Sequence, residues 1–350
     1  MTSFVRVFML MILFVLAVIS PAAAATYGGS ATGAQVTVPA TGTTIRAATG
    51  SIGLGGGEAD ASLLVGDIPG SATGGVAALA AGVMHSVIVG LDATRAEASM
   101  GDITLTVSNN TITADFLMAR SAASCGPAVT GSSQLTNLVI NGQPITVTGA
   151  ANQTVTLPNG TAVINEQISS IVGSSAELTV SALHVTTTDS ITQQQLADVF
   201  LAIADAKIDC SGGNPPNAQF STGGGRVTGL AGLATFGFVA GTQNNAMQGH
   251  LVYKDNDTTF PFSVQGTVIT AVTVGCDGGF EGTGNSPQHG AVYFKVIVHD
   301  GGEPGSNNDT FQIQAFNGTT PPGPTDTPFY SNTNPLLQNG NIQAHGFSCN

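Results

Sequence analysis

Residues 102–124 read DITLTVSNNTITADFLMARSAAS. Ile103, Leu105 and Val107 alternate with Thr104, Thr106 and Ser108, a period of two that puts all three apolar side chains on one strand face. Asn109-Asn110 then supplies turn chemistry, and Ile112, Ala114, Phe116 and Met118 alternate again. This is a β-hairpin with a buried face. The same grammar recurs on both sides. Asn141-Gly142 sits between LTNLVI and PITVTG, and Pro158-Asn159-Gly160 sits between QTVTL and TAVINEQ, both tight-turn signals. AELTVSALHVTTT, residues 176–188, is a long strand, and AQVTV and TTIRA are short strand candidates nearer the start.

Two stretches resist this reading. GGVAALAAGVMHSVIVG, residues 74–90, fits a small-residue helix or a buried strand, because an apolar run has no period to separate them. ITQQQLADVFLAIADAKIDC, residues 191–210, places Leu196, Val199, Phe200 and Ile203 at helical spacing, yet Val199, Leu201 and Ile203 also alternate.

SGGNPPN, residues 211–217, is punctuated by Gly and Pro and reads as a linker. Beyond it, RVTGLAGLATFGFVAG, GHLVYKD, FSVQGTVITAVTV, AVYFKVIVHD and DTFQIQAF are strands separated by Gly, Asn and Asp turns. No fixed-period repeat appears, which excludes solenoids and propellers. The expected architecture is all-β with two domains, 26–210 and 218–350, each a β-sandwich or partly closed β-barrel.

At the start, Arg6 precedes the apolar run FMLMILFVLAVIS, Pro21 and Ala22-Ala23-Ala24-Ala25. A basic start, a short apolar core and small residues at a cleavage site make residues 1–25 a signal peptide. The run is shorter than the ~20 apolar residues a membrane span needs, so no span is expected in the mature chain. Secretion or a cell-surface location follows. Without Arg6 the chain keeps 7 Lys and Arg against 21 Asp and Glu, a net charge of −14. That balance argues against nucleic-acid partners, whose phosphates need Lys and Arg, and against anionic membrane surfaces. Only 8% of residues are charged, so the surface must be built from Thr, Ser, Asn, Gln and Gly, which suits strands and turns better than helices. Trp is absent, which lowers a reading that depends on exposed aromatic platforms.

Cys125, Cys210, Cys276 and Cys349 contain no C-x-x-C pair, so a zinc ribbon or thioredoxin-like site has no support. In an oxidising compartment they form two disulfides, and spacing alone does not choose among the three pairings. Two cysteines lie on each side of 211–217, which favours Cys125–Cys210 and Cys276–Cys349.

Residues 135–188 carry an ordered series: INGQPI, Asn152, Leu157-Pro158, Ile164-Asn165-Glu166-Gln167 and LTVSALHV. In these pieces the first domain resembles the choice-of-anchor P family of bacterial surface and secreted proteins. GGGRVTG, FGFVAG, GHLVYKD, VIVHDGGEPGSNNDTFQI and GNIQAH make the second domain similar to the post-COAP domain that follows it in that family. The resemblance implies export and a cell-envelope setting and brings no catalytic residues. The chain has no sorting motif, second hydrophobic span or basic tail before Cys349-Asn350, so a released or non-covalently held product is expected.

The chain has no G-x-S-x-G elbow, H-E-x-x-H or Walker loop. Its most site-like segment is Asp300-Gly301-Gly302-Glu303-Pro304-Gly305-Ser306-Asn307-Asn308-Asp309. Asp300, Glu303 and Asp309 are candidate calcium ligands there, since calcium takes 6–8 oxygens from a flexible loop. The plain reading of the same loop is a polar hairpin tip with Asx-turns. His250, His299 and His345 all fall in the second domain, where three histidines suffice for zinc and solitary strand histidines are the commoner outcome. Glu166 is a candidate catalytic acid or a structural hydrogen-bonding group. The leading expectation is a non-enzymatic structural or adhesive protein contacting cell-surface or extracellular-matrix components. A hydrolase acting on polysaccharide or peptide, and a calcium or small-ligand binding module, are the alternatives.

Overall fold

The computed structural model describes residues 25–212 and 218–349. The leader lies outside them except for Ala25, and so do residues 213–217 of the expected linker. The fold is all-β, in three layers. An outer sheet runs in the order Gln153–Leu157, Gly160–Val172, Ser175–Thr188, Gln195–Asp209, Thr26–Val38, Thr43–Ser51. A middle sheet is built around Asn110–Ser124, Ala93–Val107, Val83–Gly90 and Gly57–Leu63, with Ala128–Thr136 alongside Asn110–Ser124. The third layer is a barrel formed by residues 218–344. Its sheet runs from Ala218–Thr228 through Leu233–Gln243, Ala246–Asp255, Phe262–Thr273 and Asp277–Ser286 to Gly290–His299 and Thr310–Asn317. Asn334–Ala344 pairs with both Ala218–Thr228 and Thr310–Asn317 and closes the ring.

The quoted hairpin pairs Ala93–Val107 with Asn110–Ser124, and Val107 faces Asn110. The turn is therefore Ser108-Asn109, one residue earlier than the sequence suggests. Both residues take positive φ, 46° and 68°, as a type I′ turn requires. Asn141-Gly142 forms the same turn in the expected place, between the paired Ile140 and Gln143.

Residues 195–209 are strand, which resolves the helix alternative. The ambiguity has a structural cause. Ladder pairing across the outer sheet skips one row, made of Asn165, Ala182, Ala202, Gly33 and Ala48. Asn165, Ala202 and Ala48 sit at φ of 53°, 51° and 50°. Because every strand spends one residue in the same row, hydrogen bonding resumes in register beyond it while the inward parity switches. Val199 and Leu201 point inward before the crease, and Ala202, Ala204 and Ala206 after it. The adjacent inward pair Leu201-Ala202 is what breaks the strand period.

Within residues 74–90, the other ambiguous stretch, Ala77–Ala80 and Val83–Gly90 are strands, and Val83–Gly90 is buried at every position. Met84 and Ile88 join the core between the outer and middle sheets. Val87 and Val89 pack instead with Phe220 and Val239 of the barrel. A strand covered on both faces reads as continuous apolar sequence. The barrel is filled with aromatic rings. Phe236 stacks on Phe311 at 4.0 Å between centroids. The Tyr253 and Tyr330 hydroxyls meet at 2.6 Å, and Tyr330 donates to the buried Asp255 carboxylate at 2.7 Å.

Both disulfides pair as favoured. Cys125–Cys210 ties the end of a middle-sheet strand to the end of an outer-sheet strand, and Cys276–Cys349 links the barrel to its terminal segment. Their Cα separations, 5.5 and 5.4 Å, are ordinary for disulfides. Among the described residues no helix is long and apolar enough to cross a membrane.

Candidate functional site

The loop singled out by sequence is turned inward. Asp309 accepts from the backbone N–H of Gly301 at 2.9 Å and of Ile342 at 2.6 Å. Asp300 accepts from Gly302 at 3.0 Å and Ala344 at 2.9 Å. Both are buried. Two carboxylates thus splice the loop onto the edge of Asn334–Ala344. Burial raises Asp309, the Ile342 and Gly301 N–H groups oppose it, and neighbouring Asp300 and Glu303 add to the rise, which reaches about 6. Glu303 points away from them, across to the middle sheet, where Arg120 holds both its oxygens at 2.7 and 2.8 Å. Among the described residues no group of three or more His, Cys, Asp or Glu is arranged to hold a metal ion.

The three barrel histidines lie apart. His250 stands 3.6 Å from Asp60, His299 pairs with Asp277 at 2.7 Å, and buried His345 meets the Thr222 hydroxyl at 2.8 Å. Glu166 belongs to a cluster on the outer sheet. His184 meets Glu166 through Nδ1 at 3.0 Å and Asp198 through Nε2 at 2.7 Å, and stacks on Phe200 at 3.8 Å. Burial works against a charge on His184, but hydrogen bonds and charge from Asp198 and Glu166 prevail and push it up to about 9. The imidazolium therefore spends both nitrogens cross-linking strands, leaving no ring lone pair for base catalysis.

The richest chemistry lies where sequence reading did not look, at the seam between the middle sheet and the barrel. The two layers touch closely because glycines face bulkier residues across the seam. A β-carbon on Gly224 would stand 2.6 Å from Ser99 Oγ, and one on Gly237 would stand 2.3 Å from the His85 ring. Where the layers part, a cleft of about 360 Å3 opens. Strands Ala93–Val107 and Asn110–Ser124 wall one side with Glu97, Arg120 and Ser121; Thr222, His345 and Glu303 wall the other. Burial pushes Glu97 up to about 8, with Arg120 opposing and Glu303 and Asp309 reinforcing. Its Oε1 has no hydrogen-bond partner. Burial, together with the Arg95 charge, pushes His345 down to about 3, so its ring is neutral. At neutral pH a largely protonated carboxyl on one wall and a neutral imidazole on the other thus line the same cleft. The sequence signal was slight: Glu97 is the one acid in ATRAEASMG, residues 93–101.

The outer sheet also ends in a half-free edge. Gln153–Leu157 pairs with Gly160–Ile164 only. The remainder of that strand, Gln167–Val172, is bonded on its other side to Ser175–Val180. Gln167 donates outward to the Asn152 side chain at 2.9 Å, so strand alternation also points the Ser169 and Ile171 amides outward. Ile168, Ile171 and Val172 there are 65%, 53% and 72% exposed.

Comparison with protein-family models, with curated proteins and with solved structures finds no match to this chain.

Proposed function

We propose that this protein works outside the cytoplasm as a non-enzymatic structural or adhesive component, acting by surface contact. The observation that carries the reading is the free edge Ile168–Val172. An unpaired strand edge is a template for strand addition by another chain, and natural proteins usually block such edges with charge, proline or cover. Here Ser169 and Ser170 are flanked by exposed Ile168, Ile171 and Val172, with no charged residue between them. Two disulfides and the apolar leader support an oxidising, exported setting. The resemblance to choice-of-anchor P proteins supports a bacterial cell envelope as that setting.

The test is retention of purified protein on cells that make it, with the chromosomal copy deleted. Ser169→Pro removes an outward N–H without touching the inner ladder, and Ile171→Lys puts charge on the edge. Both variants should keep the parental melting temperature and lose retention. Unchanged retention, or turnover on a panel of polysaccharides and peptides, would overturn the reading.

A further inference from the structure

The free edge of the outer sheet is a notch with two fixed ends. Gln153–Leu157 covers only the first part of Gly160–Val172, and Asn152 then donates its amide to the Asn165 carbonyl and accepts the Gln167 amide on its side chain. At the other end the strand turns at Gly173-Ser174, between the paired Val172 and Ser175. Residues 168–172 line what is left open. The segment that lines the notch has the same length as the notch itself, so two copies related by a twofold axis can each fill the gap of the other.

Local geometry also selects the register. Ser169 and Ile171 carry the outward N–H and C=O groups, and an antiparallel pair of such residues exchanges both bonds. Centred on Ser170, a twofold pairing sets Ser169 against the partner's Ile171, and the reverse, so every outward group of these two residues is bonded. On the face shared with Ser170 it sets Ile168 against the partner's Val172, an apolar cross-strand pair. Centred on Ser169 instead, the pairing would need the Gln167 amide and the space beside Asn165, both taken by Asn152. Centred on Ile171, it would set Ile168 against Ser174 and lose the apolar match.

Charge favours the same contact. Residues 167–176 contain no ionisable side chain, in a chain whose net charge without the leader is −14. Two acidic copies repel each other elsewhere and meet here with no like charges opposed. Glu177, opposite Ser170 on the adjoining strand, is held by Lys207 at 3.4 Å. We propose, resting on the reading of this edge as a contact surface, that two copies of this chain join through Ile168–Val172, antiparallel and centred on Ser170, into one continuous sheet. An edge of this length spans only ~17 Å and buries less than the ~1,200 Å2 of long-lived complexes, so the dimer is transient, with a dissociation constant of about 0.1–1 mM.

The experiment uses the purified, disulfide-intact chain alone. In sedimentation velocity up to ~1 mM the weight-average coefficient should rise with concentration, and Ile171→Lys and Ser169→Pro should each hold it at the monomer value. The register has its own readout. Ser170→Cys places a thiol opposite its own copy in a non-hydrogen-bonded pair, where side chains stand closest, and should form a covalent dimer under mild oxidation roughly 10-fold faster than Ser169→Cys, whose copies are offset. A coefficient that never leaves the monomer value, a rise that both edge variants leave intact, or equal linking of the two cysteine variants overturns the proposal. Retention on cells by a chain that stays monomeric overturns it while keeping the adhesive edge. Self-association without retention supports it and removes the adhesive reading.

Discussion

Replacing Glu97 by Gln should make this protein more stable at neutral pH and flatten its pH dependence. In the native state burial pushes the Glu97 carboxyl up to about 8, from 4.5 as its ordinary value. The folded protein therefore holds a proton that the unfolded chain releases between these pH values. For a group raised on folding, the stability contribution is complete below the unfolded value and is lost as pH climbs through the folded one. Each pH unit inside that window costs ~1.4 kcal/mol, so at pH 7 the carboxyl contributes about 3 kcal/mol less than at pH 4. Glutamine has the same shape and no proton to lose. Glu58, also pushed up to about 8 by burial and by Asp60, and Asp309 give the wild type further slope of the same sign. The difference between wild type and variant isolates Glu97. Urea unfolding between pH 4.5 and 8.5, with disulfides intact, should show the two curves diverging in the variant's favour as pH rises. Parallel curves would mean that Glu97 is solvated and ionised in the native state.

Four other outcomes are expected. Asp309→Ala strips acceptors from the Gly301 and Ile342 amides and should cost about 3 kcal/mol in denaturant unfolding, whereas a surface-like loss below ~0.5 kcal/mol would show the loop to be an independent tip. Adding calcium up to ~10 mM should leave the melting temperature unchanged, since Asp300 and Asp309 already serve backbone amides; an upward shift removed by Asp300→Asn would establish the metal site. The double substitution Cys125→Ser and Cys210→Ser opens a link spanning 85 residues and should destabilise by roughly 4–5 kcal/mol in the chain-entropy model, measured by urea midpoint. Gly224→Val drives a side chain into Ser99 and Glu97, so limited proteolysis should become faster around residues 211–217; an unchanged rate would mean the seam yields without cost.

Much of the fold was legible because β-structure leaves local marks. The alternation of Ile103, Leu105 and Val107 and the Asn141-Gly142 turn each follow from backbone geometry within a few residues. Cysteine pairing was accessible for a related reason, since the punctuation at 211–217 separates two pairs. Strand identity failed to show where it depends on distant chain. Residues 195–209 look half helical because Leu201 and Ala202 both face inward, and that crease exists only with Asn165, Ala182, Gly33 and Ala48 lined up beside it. Val83–Gly90 looks uniformly apolar because a second layer covers its other face.

Sites were the least legible. The sequence crowds Asp300, Glu303 and Asp309 into ten residues, and crowding by itself suggests a cation. Tertiary structure gives each another partner: Asp300 and Asp309 turn to amides of a strand more than thirty residues on, and Glu303 crosses to Arg120. Glu97 and His345 are far apart in sequence and line one cleft only when barrel and middle sheet dock. What the sequence by itself determined was the all-β class, the tight turns to within one residue and the arithmetic of the disulfides, because these rest on period, φ preference and chain order. Only tertiary structure decided which polar groups lose water and which neighbours they keep. Desolvation depends on what packs above a residue, and no local pattern records that.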